Sequence, residues 1–312
     1  MPMENQTKVT EFILLGLSSD PQVQIFLFLV FLVIYVVTLV GNILIMLVIR
    51  ADSHLHTPMY LFLFHLSFVD ICYSSITVPT MLMNFLTEHK IISVNGCITQ
   101  MFFFILLAGT EVFILSAMAY DRYAAICDPL HYMEMMSKGI CVQLVSGAWT
   151  VGFLYALLNM VFTFKFHFCG PNQIHHFSCE LPPLLQLSCT DTFTNQVVLL
   201  TSAVILGAIS FLLTLISYIH IISTILRIPS VQGKQKTFST CSSHLIVVGL
   251  LYLAAFIQYS KPSSVSSVAL DEMVSIQYSI LTPMLNPIIY SLKNKEVKTA
   301  LRNILWKFKF LK

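Results

Sequence analysis

The stretch CITQMFFFILLAGTEVFILSAMAYDRYAAIC, residues 97–127, decides the architecture. Its apolar run covers 98–126, and the 24 positions from Cys97 to Asp121 (121 − 97) would extend about 36 Å as an α-helix. The hydrocarbon core of a bilayer is roughly 30 Å thick, so a helix of this length and polarity crosses it. One end of the crossing carries a cysteine and the other an adjacent acid and base, Asp121 and Arg122. Taken alone, that pair also fits a solvated helix end, where an exposed ion pair contributes only ~0–1 kcal/mol.

Outward from this stretch, six further apolar runs lie at about 24–49, 58–82, 140–164, 196–226, 237–259 and 272–292, bounded by polar or Pro-containing breaks. With 56% apolar and 10% charged side chains and a mean hydropathy of +0.80, the composition is far from that of soluble domains. The expectation is an all-α membrane protein in one domain. A seven-transmembrane-helix bundle would occupy 24–292, after a tail over 1–23 and before a short amphipathic helix and tail over 293–312. In that last stretch Val297, Leu301, Ile304, Leu305 and Phe308 share a helical face, with Lys298, Arg302, Lys307 and Lys309 among the rest, as in an interfacial helix. A net charge of +2 without a clustered basic face argues against nucleic acid as a partner. No phosphate-cradling glycine loop, nucleophile elbow or zinc-binding helix motif is visible, so the expectation is not an enzyme.

Orientation follows from the cations, because Lys and Arg accumulate on the cytoplasmic side. With the N-terminus outside, thirteen fall inside (Arg50, Arg122, Lys138, Arg227, Lys234, Lys236, Lys293, Lys295, Lys298, Arg302, Lys307, Lys309 and Lys312) and four outside (Lys8, Lys90, Lys165 and Lys261). This predicts a multi-pass plasma-membrane protein with the N-terminus extracellular and the C-terminus cytoplasmic. No secretory signal peptide is visible, so the first span would serve as insertion signal. Asn5-Gln6-Thr7 is a glycosylation acceptor that such a topology would leave outside. Cys97, Cys169, Cys179 and Cys189 then face an oxidising compartment, and four cysteines admit three pairings. Cys72, Cys127, Cys141 and Cys241 are expected to stay reduced as small packing residues.

Ionisable residues within a span mark function, because lipid makes them costly. Asp70 lies about 18 Å past Pro58, and Glu111 about 16 Å before Arg122, so the two share a depth. They require a shared proton or a bound cation, and Na⁺ held with Ser or Asn oxygens is the favoured expectation.

The run Met118-Ala119-Tyr120-Asp121-Arg122-Tyr123-Ala124-Ala125-Ile126-Cys127 resembles the MAYDRYVAIC signature of odorant receptors, rhodopsin-like G-protein-coupled receptors of the tetrapod type. Leu55-His56-Thr57-Pro58-Met59-Tyr60 is similar to the family's first-loop motif, and Lys236-Thr237-Phe238-Ser239-Thr240-Cys241-Ser242-Ser243-His244 to its sixth-helix start. Pro283-Met284-Leu285-Asn286-Pro287-Ile288-Ile289-Tyr290-Ser291-Leu292 resembles the seventh-helix signature, and Gly41-Asn42 and Leu66-Ser67-Phe68-Val69-Asp70-Ile71-Cys72 fit the first two spans. The motifs run in family order from first span to last. Leu251-Tyr252-Leu253-Ala254 departs from the usual Phe-Tyr-Gly-Thr, which suggests a more apolar floor.

The resemblance implies a switch in which Arg122, restrained by Asp121 beside Tyr123, is released toward Tyr218 and a G protein while His244 changes partners. It implies that Asn286 joins Asn42, Asp70 and Glu111, near Tyr290, and that Asn286-Pro287 locally breaks the seventh helix. It pairs Cys97 with Cys179 and Cys169 with Cys189, inside a long loop from Phe166 to Asn195 that would act as a lid. His175-His176 in that loop is expected to be solvated.

A ligand chamber is expected between the helices, with Phe104, Ile105, Ala108, Gly109 and Val112 on the third span. Ser202, Ala203 and Leu206 would face it from the fifth, and Tyr252, Ala255, Phe256 and Tyr259 from the sixth. Ile276 and Ser279 of the seventh and Leu181 of the loop complete it. With no acid or base expected at that level, the implied ligand is a small, neutral, volatile, largely apolar odorant. The implied partner is the olfactory stimulatory G protein, raising cyclic AMP, and no cofactor is required beyond an allosteric Na⁺. A nonolfactory chemoreceptor of the same fold is the alternative. An ion-coupled transporter would account for Asp70 and Glu111 but would show repeated halves, and no internal symmetry is visible.

Overall fold

The computed structural model describes residues 9–88, 90–164, 166–169, 171–260, 268–293 and 295–310. Asn5 lies outside the described residues, as do the side chains of Tyr259, Ile304, Leu305, Lys307, Phe308 and Lys309. In chain order the helices are α1 (Pro21–Ala51), α2 (Pro58–Leu86), α3 (Val94–Cys127), the short α4 (Tyr132–Met135), α5 (Lys138–Thr163), the short α6 (Leu181–Leu185), α7 (Phe193–Arg227) and α8 (Val231–Ser260). Then α9 (Val268–Ile276), a π-helical turn (Gln277–Leu281) and α10 (Thr282–Lys293) run on without interruption, and α11 (Lys295–Phe310) comes last. Six helices, α1, α2, α3, α5, α7 and α8, are long and apolar enough to cross a membrane.

All of these but α2, which starts with its run at Pro58, begin before the apolar runs that mark them, because capping shapes helix starts where hydropathy is blind. Asp20 accepts the amides of Gln22 and Val23 ahead of Pro21, and Ser93 accepts the amide of Gly96. Side chains such as Ile25, Phe26 and Val33 on α1 are 60–65% exposed, a surface that water would penalise and lipid tails accept.

The seventh helical stretch corrects one expectation. Asn286-Pro287 does not break it, and α10 stays helical through Pro287. Pro287 has no N–H for the carbonyl of Pro283, four residues earlier, but Asn42 Nδ2 donates to that carbonyl at 3.0 Å. The irregularity sits earlier, in the π-turn ahead of Pro283. A Cβ at Gly41 would stand 3.1 Å from Pro287 Cγ, so α1 and α10 pack closely there.

At the disulfide end, β1 (Glu11–Leu14) lies between β2 (Ile91–Ser93), antiparallel, and β3 (Gln173–Ile174), parallel. The tail expected over 1–23 is therefore structured from residue 9 onward, with Phe12 and Leu14 fully buried. Cys97 is joined to Cys179 and Cys169 to Cys189. Cys72, Cys127, Cys141 and Cys241 are free thiols. At the other end α11 buries Val297 and Ala300 against the bundle, and Tyr60 Oη donates to Glu296 Oε2 at 2.6 Å, tying α2 to α11.

Candidate functional site: three buried polar clusters along α3

Helix α3 packs on α2, α5, α7 and α8, and the buried polar groups gather along it. At its Arg122 end, Asp121 is fully buried. Arg122 donates to Asp121 Oδ2 through Nη2 at 2.6 Å and Nε at 3.1 Å, and Tyr132 Oη donates to Oδ1 at 2.8 Å. Burial, and after it the Asp121 charge, push the Tyr132 hydroxyl above its ordinary pKa, which keeps it a donor at any physiological pH. Beside this pair His244 Nε2 donates to the Leu115 carbonyl at 2.9 Å, which leaves Nδ1 to accept from Tyr218 Oη at 2.6 Å. Tyr123 packs between Tyr120 and His220, with ring centroids 6.0 and 5.6 Å away.

Midway along, Asn286 Nδ2 donates to both oxygens of Asp70, at 3.1 and 3.0 Å. Glu111 is 4% exposed. Its Oε1, with Asn42 Oδ1 and Asn286 Oδ1, is a buried acceptor with no partner among the described residues, and the Tyr290 hydroxyl is likewise unpaired. Two orphaned amide oxygens and the orphaned Glu111 oxygen, with the Asp70 carboxylate bound to Asn286, fit a group that offers positive charge or donors. No cluster of three or more His, Cys, Asp or Glu is placed to hold a metal among the described residues, so a cation here would complete its shell from neutral oxygens.

On the Arg122 side of Glu111, Tyr252 Oη donates to Ser210 Oγ at 2.9 Å, and Ser116 Oγ lies 3.0 Å from the Val112 carbonyl, 3.2 Å from the Ser210 carbonyl and 3.4 Å from Thr214 Oγ1. Tyr252 supplies the hydroxyl of α8 at this level, and the buried Ala254 adds no polar group. Above it, Phe104 stands between Tyr73 and Tyr278 with centroids at 4.9 and 5.6 Å. Glu180, 8% exposed, accepts hydrogen bonds from Ser178 at 3.3 Å and Ser275 on Oε1, and from Tyr278 at 2.8 Å on Oε2.

The sequence profile of the olfactory receptor family matches residues 31–308. The chain belongs to the olfactory receptor family. It is 52% identical to olfactory receptor 5A1 of Homo sapiens over 301 residues, 96% of each chain. It is 48% identical to olfactory receptor 5G9 of Mus musculus over the full length of both.

The receptor brings together some expected pocket residues and separates others. Phe104, Ala108, Val112, Ala203, Leu206, Tyr252 and Ala255 are half-buried, and Ile105, Leu181 and Ser279 are buried. Ser202 spends its hydroxyl on the carbonyls of Val198 and Leu199 in its own helix. Gly109 does not face a chamber: a Cβ there would lie 3.1 Å from Gly152 Cα and 3.2 Å from the Tyr155 ring, so it is the contact that lets α3 approach α5. Phe256 is 68% exposed and points away from the bundle, and the neighbouring Ala254 takes the interior position. Ile276 packs with Phe31, Val78 and Ile280 on the α1–α2 side. The π-turn adds a residue to its turn, and Ser275 before it and Tyr278 within it both reach Glu180, a pairing that the sequence does not announce.

Two further expectations about the outer loop are corrected. An acid does stand at the pocket level, Glu180, carried by a loop folded back into the bundle. His176 is 2% exposed and not solvated, stacked on Phe177 with its Nε2 3.8 Å from Glu180, while its neighbour His175 is exposed. Tyr132 also escapes sequence reasoning, because a tyrosine between two apolar runs carries no signal without knowledge of what it touches.

Proposed function

We propose that this odorant receptor sits in the plasma membrane as a seven-span bundle, with the seventh span formed by α9, the π-turn and α10 and with α11 lying in the inner interface. The N-terminus, Asn5 included, faces outside and the C-terminus the cytoplasm, in line with thirteen of seventeen Lys and Arg on the inner side. The geometry that supports a signalling role best is Asp121, fully buried and paired with both Arg122 and Tyr132 at the inner end of α3. A small volatile ligand held beside Phe104, Ala108, Val112 and Tyr252 favours an arrangement in which Arg122 leaves Asp121, and the population shifts by as much as the ligand prefers that arrangement. Tyr218 exchanges His244 for Arg122, the inner face opens, and the olfactory stimulatory G protein raises cyclic AMP. Asn286 and Tyr290 carry the change along α10, beside Pro287. Na⁺ bound by Asp70 and Glu111, with the orphaned Asn42 and Asn286 oxygens as further ligands, holds the resting arrangement.

The test is to express the chain with the olfactory G protein and record cyclic AMP against a panel of volatile molecules. Arg122→Ala is expected to lower the response about tenfold or more, the loss expected for a contact to a charged group. An unchanged response would remove the switch.

A further inference from the structure

The carboxyl group of Glu180 is buried and used by nothing in the switch. Its partners are three hydroxyls, Ser178 and Ser275 on Oε1 and Tyr278 on Oε2. Within salt-bridge reach among the described residues is only His176, at 3.8 Å. The Nδ1 of that histidine accepts the Ser178 amide at 3.2 Å, which leaves Nε2–H directed toward the acid. Oε2 accepts one hydrogen bond and has a lone pair for a second. The group that occupies it, Tyr278, is also the ring that meets Phe104 edge-on at 5.6 Å, and Ala108 lies one helical turn farther along α3.

We propose that Glu180 Oε2 is the polar pole of the odorant site and that the receptor's ligand class is a small alcohol or phenol. Its O–H donates to Oε2, and its apolar body lies along Phe104 toward Ala108. This deepens the reading of the bundle as a ligand chamber and rests on it. A carboxylate only accepts, so an ether, ketone or ester oxygen meets it without a hydrogen bond. An ammonium would match the charge, but it must first be stripped of its water, and three hydroxyls already satisfy the anion. Exchanging the tyrosine hydroxyl for a ligand hydroxyl, or adding one beside it, keeps the hydrogen-bond count intact. The ligand stays apolar along its body and is polar at one end only.

Equilibrium binding to the purified full-length receptor in lipid nanodiscs tests this, with receptor-free discs subtracted and n-hexanol, methyl pentyl ether and n-hexylamine as probes. The alcohol is expected to bind about tenfold tighter than the ether, the margin of one hydrogen bond to a charged group. Glu180→Gln should narrow that margin, whereas Tyr278→Phe, which removes the competing donor and keeps the ring, should preserve or widen it. A purely structural role for the cluster would make both variants lose binding to all probes alike. Equal affinity for alcohol and ether, a tighter amine, or a margin that survives Glu180→Gln overturns the proposal. If Glu180→Gln does not fold, Tyr278→Phe decides, and a margin lost there overturns it. Alcohol binding without any cyclic AMP response would defeat the signalling reading and leave this one standing. Cyclic AMP responses to the ether with indifference to the alcohol would do the reverse.

Discussion

The two ends of α3 are held by different kinds of bond. At the disulfide end Cys97 is covalently joined to Cys179, and the helix starts at Val94, directly after β2 of the three-stranded sheet. At the Arg122 end Asp121 is held by three hydrogen bonds, two from Arg122 and one from Tyr132. A disulfide can constrain a chain by about 2–4 kcal/mol and does not exchange under outside conditions. A hydrogen bond to a charged group contributes about 1.5–3 kcal/mol and exchanges freely. The helix is thus fixed covalently at the end where the proposed ligand binds and held by exchangeable bonds at the end where the proposed partner docks, an asymmetry that a switch needs.

The largest effect should come from undoing the fixed end. Cys97→Ser is expected to reduce surface delivery to background, read by antibody labelling of intact cells, and an unimpaired variant would make the two ends equivalent. A smaller effect should come from loosening the releasable end by one bond. Tyr132→Phe is expected to raise ligand-free cyclic AMP several-fold, up to about tenfold, since one of the restraints on Asp121 is gone. Unchanged basal signalling would mean that Tyr132 restrains nothing. The smallest effect belongs to the middle of the helix. Na⁺ at about ten times its dissociation constant should raise the melting temperature by about 2–4 °C, and Asp70→Asn or Glu111→Gln should abolish that shift. Melting of the unmodified receptor that ignores Na⁺ would leave the orphaned oxygens to water.

The sequence makes the spans readable because lipid demands about 20 apolar residues in a row, and few other folds contain such runs. The Asp70, Glu111 and Asn286 cluster is legible as well, because charge inside a span is conspicuous. The hidden features depend on small departures from regular geometry. The π-turn at Gln277–Leu281 carries Tyr278, which donates to Glu180, and no residue type announces it. Gly109 reads as space for a ligand, and the space is filled by α5. Glu180 comes after Cys179 in a loop, where acids are usually solvated, and only the folding back of that loop buries it. Likewise Pro287 reads as a helix breaker until Asn42 is seen to take the carbonyl it leaves open.

Whether α3 is fixed outside and releasable inside is tested most directly by paired spin labels. One pair would sit at the inner ends of α5 and α8, at exposed residues 138 and 238, and the other at the outer end, at exposed residues 91 and 175. On adding an activating odorant with G protein, the inner distance is expected to lengthen by several ångströms, roughly one helical turn at most. The outer distance should stay within its resting distribution. An outer pair that moves as far as the inner one, or an inner pair that does not move, would contradict this asymmetry.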